Sequence, residues 1–142
     1  MIPRHFHGAA FLVCAVALLT LLTLGGCGPS SNAPARYRVS GTVSFDGAPL
    51  KSGDIQFVST SGDGAVDAGT ITNGTYAVEA TPGAKQVKIT ASRIVPGKDN
   101  PGIPGTPVYE DFIPAPYNES TTLEAEIKAN GNNTANFELQ SK

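Results

Sequence analysis

The chain has 142 residues, with 16 Gly, 11 Pro, two Cys and no Trp, and its formal net charge at pH 7 is −2. That length holds one domain, two Cys cannot build the disulfide framework of a small secreted protein, and an acidic balance argues against a broad nucleic-acid-binding face. Both histidines, His5 and His7, fall within the first seven positions.

The first segment in chain order is a leader. Arg4, His5 and His7 precede an apolar stretch from Ala9 to Leu24, broken only by Thr20 and Thr23, which leads into Gly25, Gly26 and Cys27. A basic start, an apolar middle and a small-residue exit form the layout of a secretory signal. As a helix the apolar stretch covers about 24 Å, short of the ~30 Å hydrocarbon core, so a permanent span is the weaker reading. Cys14 sits inside that stretch and reads as a small hydrophobe.

The exit Leu24-Gly25-Gly26-Cys27 resembles the bacterial lipobox. The resemblance implies cleavage between Gly26 and Cys27 and diacylglycerol on the Cys27 thiol, often with a further acyl chain such as palmitate on the new amino group. Two or more chains give a stable anchor where one does not. Membrane lipid is then the first partner. Gly28, where an inner-membrane retention signal has Asp, directs the expectation toward the outer membrane of a two-membrane envelope. Residues 28–36 (GPSSNAPAR) are small, polar and proline-bearing, and read as a tether reaching at most about 30 Å. The expected organisation is a signal peptide over 1–26, a lipidated Cys with its tether over 27–36, and a folded domain over 37–142.

From Tyr37 the pattern has period two. Tyr37, Val39, Gly41, Val43 and Phe45 alternate with Arg38, Ser40, Thr42 and Ser44, as on a strand with one buried face. Asp46-Gly47-Ala48-Pro49 is a turn, and Ile55 and Phe57 mark the next strand. Ser61-Gly62-Asp63-Gly64 turns again, Ala65 to Ile71 is a weak strand, and Asn73-Gly74 is a strong hairpin signal. Tyr76 and Val78 mark the return strand, with the Tyr76 ring expected in the core and its hydroxyl at the edge. Thr81-Pro82-Gly83 breaks it, and Val87, Ile89 and Ala91 define a strand running toward Val95. Leu123, Ala125 and Ile127 alternate with Glu124, Glu126 and Lys128; Asn130-Gly131-Asn132 turns; Ala135, Phe137 and Leu139 finish the pattern. About seven short strands with regular turn signals predict an all-β, antiparallel, Greek-key β-sandwich.

Gly41-x-Val43-x-x-Asp46-Gly47-x-Pro49-Leu50-x-x-Gly53-x-Ile55-x-Phe57, followed by Asn73-Gly74-x-Tyr76, Pro82-Gly83 and Val87-x-Ile89, resembles carboxypeptidase regulatory-like domains. The closing segment from Tyr117-Asn118 to Phe137-x-Leu139 is similar to small planctomycete lipoproteins of this type. The resemblance covers roughly residues 37 to 140. It implies a seven-stranded transthyretin-like (prealbumin-like) sandwich and no catalytic residue. Lys85 stands where such domains usually place an aromatic.

The Pro96–Tyr117 segment is the unusual piece. It carries Pro96, Pro101, Pro104, Pro107, Pro114 and Pro116 with Tyr109, Phe112 and Tyr117, and reads as a long loop without regular structure. Its aromatics are candidate ligand-binding residues for a sugar ring or a peptide. The competing and favoured reading is a rigid cover, with Phe112 and Tyr117 plugging the end of the sandwich.

Other candidates are weaker. Asp46, Asp63, Asp67, Asp99, Glu110 and Asp111 lie at or near turns without EF-hand spacing, so no calcium site is expected. Ser and Thr have no His base beyond residue 7, and Lys51 and Ser52 face opposite ways. Glu124 and Glu126 share a strand face about 6.5–7 Å apart, which suits paired carboxylates, but their alternation with apolar residues makes them a solvent face. Three Asn-x-Ser/Thr matches, at Asn73, Asn118 and Asn132, read as polar turns. The expectation is therefore no metal, no cofactor and no enzymatic activity. The chain is expected to be a lipid-anchored envelope protein whose sandwich serves structure, adhesion or assembly, with an unnamed envelope protein or glycan as partner. The alternative is a glycan- or peptide-binding module using residues 96–117.

Overall fold

A computed structural model describes residues 33–142. The expected signal peptide, the Gly26–Cys27 cleavage and lipidation site and the first part of the tether lie outside the described residues. Residues Pro34–Lys142 form one compact unit. No helix among the described residues is long and apolar enough to cross a membrane.

The unit is almost wholly β. In chain order the strands are β1 (Tyr37–Phe45), β2 (Ala48–Pro49), β3 (Ser52–Ser59), β4 (Val66–Thr72), β5 (Thr75–Ala80), β6 (Gly83–Thr90), β7 (Ser92–Asp99), β8 (Pro107–Asp111), β9 (Leu123–Ile127), β10 (Asn133–Thr134) and β11 (Phe137–Leu139). One 3-10 turn, Ala115–Tyr117, precedes β9. The main sheet runs β10-β1-β5-β4-β3-β6-β9, with β2 and β11 also on β1, while β7 and β8 form a separate two-stranded sheet.

The alternation read from the sequence sets the buried face. Val39 and Val43 of β1, Ile55 and Phe57 of β3, Ile71 of β4, Tyr76 and Val78 of β5, and Val87 and Ile89 of β6 are all buried in one apolar cluster. The Asn73-Gly74 hairpin forms between β4 and β5, with φ of 51° and 74° at its two residues. Its Gly is required twice over, since a Cβ there would lie 2.6 Å from Pro49 Cβ and at positive φ. The two strands pair only at Thr72↔Thr75, so the sheet curls at this hairpin and its two arms share the core.

The first correction concerns strand number and direction. Eleven strand segments replace seven, and the sheet is not wholly antiparallel: β1 pairs antiparallel with β5 but parallel with β10 and β11. The chain leaves β9 at one end of the strand order and crosses to β1 near the other. Asn133 closes that crossing, accepting from Lys128 N at 2.8 Å and donating to Lys128 O at 3.1 Å. Between β10 and β11 the ladder continues through Ala135 N donating to Ser40 O at 3.1 Å and through a side chain, with Asn136 Oδ1 accepting from Thr42 N at 2.9 Å. The backbone passes so close here that a Cβ on Gly41 would fall 1.7 Å from Ala135 O.

The second correction concerns residues 96–117, expected to lack regular structure. Ser92–Asp99 and Pro107–Asp111 instead pair as the β7–β8 hairpin, with Ser92↔Asp111, Arg93↔Glu110 and Ile94↔Tyr109 in register and an irregularity before Asp99↔Pro107. The prolines concealed the pairing because proline is depleted from strand interiors. Here Pro96 and Pro107 are tolerated because the sheet has only two strands, so each strand keeps a free edge.

Candidate functional site

β3 and β6 are neighbours, and the alternation that buries Ile55, Phe57, Val87 and Ile89 turns Gln56 and Lys88 to the opposite face, directly across from each other. Thr90, two residues beyond Lys88, shares that face. The segment after β8 walls this face. Together they enclose an open groove of about 370 Å³ lined by Gln56, Lys88, Thr90, Ala91, Asp111, Ile113, Ala115, Asn118 and Glu119. The wall is held in shape by its own hydrogen bonds. Asn118 Nδ2 donates to Ile113 O at 2.8 Å, Glu119 N donates to Asn118 Oδ1, and Ser120 N donates to Ala115 O at 2.9 Å. Thr121 Oγ1 ties the end of the segment to Val87 O on β6.

The three aromatic candidates are not brought together in this groove. Phe112 is half-buried and packs edge-on against Phe45, with ring centroids 5.3 Å apart and planes at 83°, and Arg93 lies over it at 5.4 Å. Tyr117 packs against the core and its hydroxyl accepts from Gln140 N at 3.3 Å. Tyr109 alone is largely exposed, at 61 %, opposite Ile94 on the hairpin, 52 % exposed. Phe112 also helps line a second, more apolar groove of about 320 Å³ with Phe45, Pro49, Leu50, Lys51 and Arg93.

The polar residues missed by sequence reasoning are Lys85 and Asp67, the latter expected at or near a turn but found inside β4 on its buried face. Both are 1 % exposed. Lys85 Nζ donates to Thr81 Oγ1 at 2.6 Å and lies 3.5 Å from Asp67 Oδ2. Thr81 serves the same carboxylate twice, through its N–H at 2.8 Å and its hydroxyl at 3.0 Å. Arg36 Nη1 approaches the other oxygen, Oδ1, at 2.6 Å and also donates to Glu79 O at 3.2 Å. That approach is off the line of a hydrogen bond, so Oδ1 is ion-paired without accepting one. Burial acts to raise the Asp67 carboxyl. The Thr81 N–H and hydroxyl, then Arg36 and Lys85, outweigh it and hold the group below its ordinary value. The signal for this cluster lay in the period. Lys85 precedes Val87 and Ile89 by steps of two, and Asp67 precedes Gly69 and Ile71 likewise, so both fall on core-facing positions of the two strands flanking β3.

The remaining candidates separate cleanly. Glu124 and Glu126 are both exposed on β9. Asp63 caps its own turn by accepting from Ala65 N at 2.9 Å, and this bond, with Ser59 and Ser61, lowers its carboxyl. Among the described residues no three His, Cys, Asp or Glu side chains converge as a metal-holding group. The Tyr76 ring is buried, with its hydroxyl donating to Ala135 O at 2.8 Å, and burial raises that phenol.

Comparison with known proteins gives no family. No family model matches, and no curated protein matches. Among solved structures, a 9R-lipoxygenase from Cyanothece PCC8801 aligns at 16 % identity and a TM-score of 0.36, over 92 % of this chain and 22 % of the lipoxygenase chain. The chain thus spans under a quarter of that enzyme's length, and its activity is not carried over.

Proposed function

We propose that this chain is a non-enzymatic, lipid-anchored protein of the cell envelope, held at the outer membrane through acylated Cys27. Its domain, a transthyretin-like Greek-key sandwich, acts as a structural, adhesion or assembly module. The observation that carries this reading is the attachment of the tether to the domain. Arg36, the last tether residue, is fixed to Asp67 and Glu79, and the next residue begins β1, a strand paired on both sides. A pull on the tether is therefore delivered first to the Tyr37 and Arg38 pairs with β5 and then, from Val39 onward, to a strand flanked on both sides. The intact mass of protein extracted from membranes tests the reading. A chain beginning at Cys27 with added acyl mass, together with loss of membrane association in Cys27→Ser, is expected. Retention of residues 1–26, or membrane association unchanged by Cys27→Ser, overturns it.

A second reading, a binding module built on residues 96–117, is favoured by the groove walled by residues 111–119. In that reading the wall supplies the ligand contacts, and the aromatics of the segment serve as its packing.

A further inference from the structure

We propose that the groove between the outer face of β3–β6 and residues 111–119 binds a short peptide with both ends free, its carboxylate on Lys88 and its ammonium on Asp111 and Glu119. This inference rests on the binding-module reading and chooses between its two ligand classes. Three observations carry it.

The first is charge. One cation and two carboxylates line the same groove, yet none of the three is ion-paired with another described residue. A groove that leaves both signs unneutralised complements a ligand carrying both signs. The second is the apolar lining. Ala91, Ile113 and Ala115 supply aliphatic carbon, and no aromatic ring lines the groove. A neutral sugar in water relies on an aromatic face for stacking, so this lining suits small aliphatic side chains better than a pyranose. The third is preorganisation. The wall carrying Glu119 is closed by the Asn118 hydrogen bonds and pinned to β6 through Thr121, so little ordering entropy remains to oppose binding. A volume of about 370 Å³ has room for two or three small residues.

The test is a low-salt titration of the full chain in detergent, followed by backbone amide chemical shifts. The probes are tri-alanine with free ends, its N-acetyl form, its C-terminal amide and di-N-acetylchitobiose. Tri-alanine is expected to shift the resonances of residues 111–119, 56 and 88. Acetylation or amidation is expected to weaken it by about three- to tenfold each, the range of one partly exposed charge contact. Lys88→Met should abolish the discrimination against the amide while leaving that against the acetyl form. Asp111→Asn with Glu119→Gln should do the reverse, and an unchanged spectrum away from the groove verifies the fold of each variant. Equal binding of all three peptides overturns the proposal. Groove shifts with chitobiose but not tri-alanine also overturn it while leaving the binding-module reading intact. No groove shifts with any probe overturns both.

Discussion

The two ends of β1 carry the same chemistry in opposite settings. At the Tyr37 end the Lys85–Asp67 pair is enclosed, with side chains 1 % and 0 % exposed. Beyond the Phe45 end the Arg93–Glu110 pair lies on the β7–β8 hairpin, 64 % and 46 % exposed, although its 2.7 Å contact is the shorter of the two. Distance does not rank them. Water screens the outer pair and hydrates each partner when the other leaves, whereas the inner pair has only Thr81 and Arg36 in place of water. The comparison teaches that the cost of breaking a charge pair is set by what replaces it.

The largest effect follows directly. Asp67→Ala leaves the Lys85 ammonium enclosed without its carboxylate and is expected to destabilise the domain by about 3–5 kcal/mol in chemical denaturation. The double variant Asp67→Leu with Lys85→Met removes both charges and should recover most of that loss. A cost below about 1 kcal/mol for Asp67→Ala alone breaks the comparison, because the inner pair would then behave like an exposed one.

Midway along β1, Gly41→Ala places a Cβ against the Ala135 carbonyl. The main chain must shift, and a loss of about 1–3 kcal/mol is expected in thermal or denaturant unfolding. This variant sharpens the comparison by testing whether the parallel β10–β11 strap across β1 contributes to the stability both ends share.

Acid separates the two ends further. The Asp67 carboxyl is lowered in the folded state from a reference value of 3.8, so its stabilising contribution is fully present above that value. It is lost as pH falls below the reference value and through the lower folded value. Unfolding free energy measured against pH should therefore drop below about pH 4, and Asp67→Asn should flatten that drop. An equal drop in the variant would assign the acid sensitivity elsewhere.

The smallest effect belongs to the outer pair. Arg93→Ala removes the contacts to Glu110 and to the Phe112 ring, and is expected to cost less than about 1 kcal/mol, a loss that shrinks with added salt. A larger, salt-independent cost would mean that the hairpin depends on this arginine more than its exposure implies.

Much of the strand content was legible because it rests on local rules. Period-two alternation located β1, β3, β5, β6 and β9, and Asn73-Gly74 marked its hairpin because both positions need positive φ. That Phe112 and Tyr117 pack against the apolar core follows for a related reason, since isolated aromatics in a polar, proline-bearing segment find the nearest apolar surface. The β7–β8 pairing was not legible, because its prolines carry a local signal against strand that only the partner strand overrides. The groove was missed because its two walls, Gln56 and Lys88 on one side and residues 111–119 on the other, are far apart in sequence.

The sequence by itself determined which side chains turn inward, including Lys85 and Asp67, since facing follows from the two-residue period of an extended chain. Only the tertiary structure decided that these two inward charges meet, that Arg36 closes over them, and that the chain returns from β9 to run parallel beside β1. The Asp67–Thr81 bonds join residues 14 positions apart and the pairing of β1 with β10 and β11 joins residues 94 apart, and no local preference encodes which strands become neighbours.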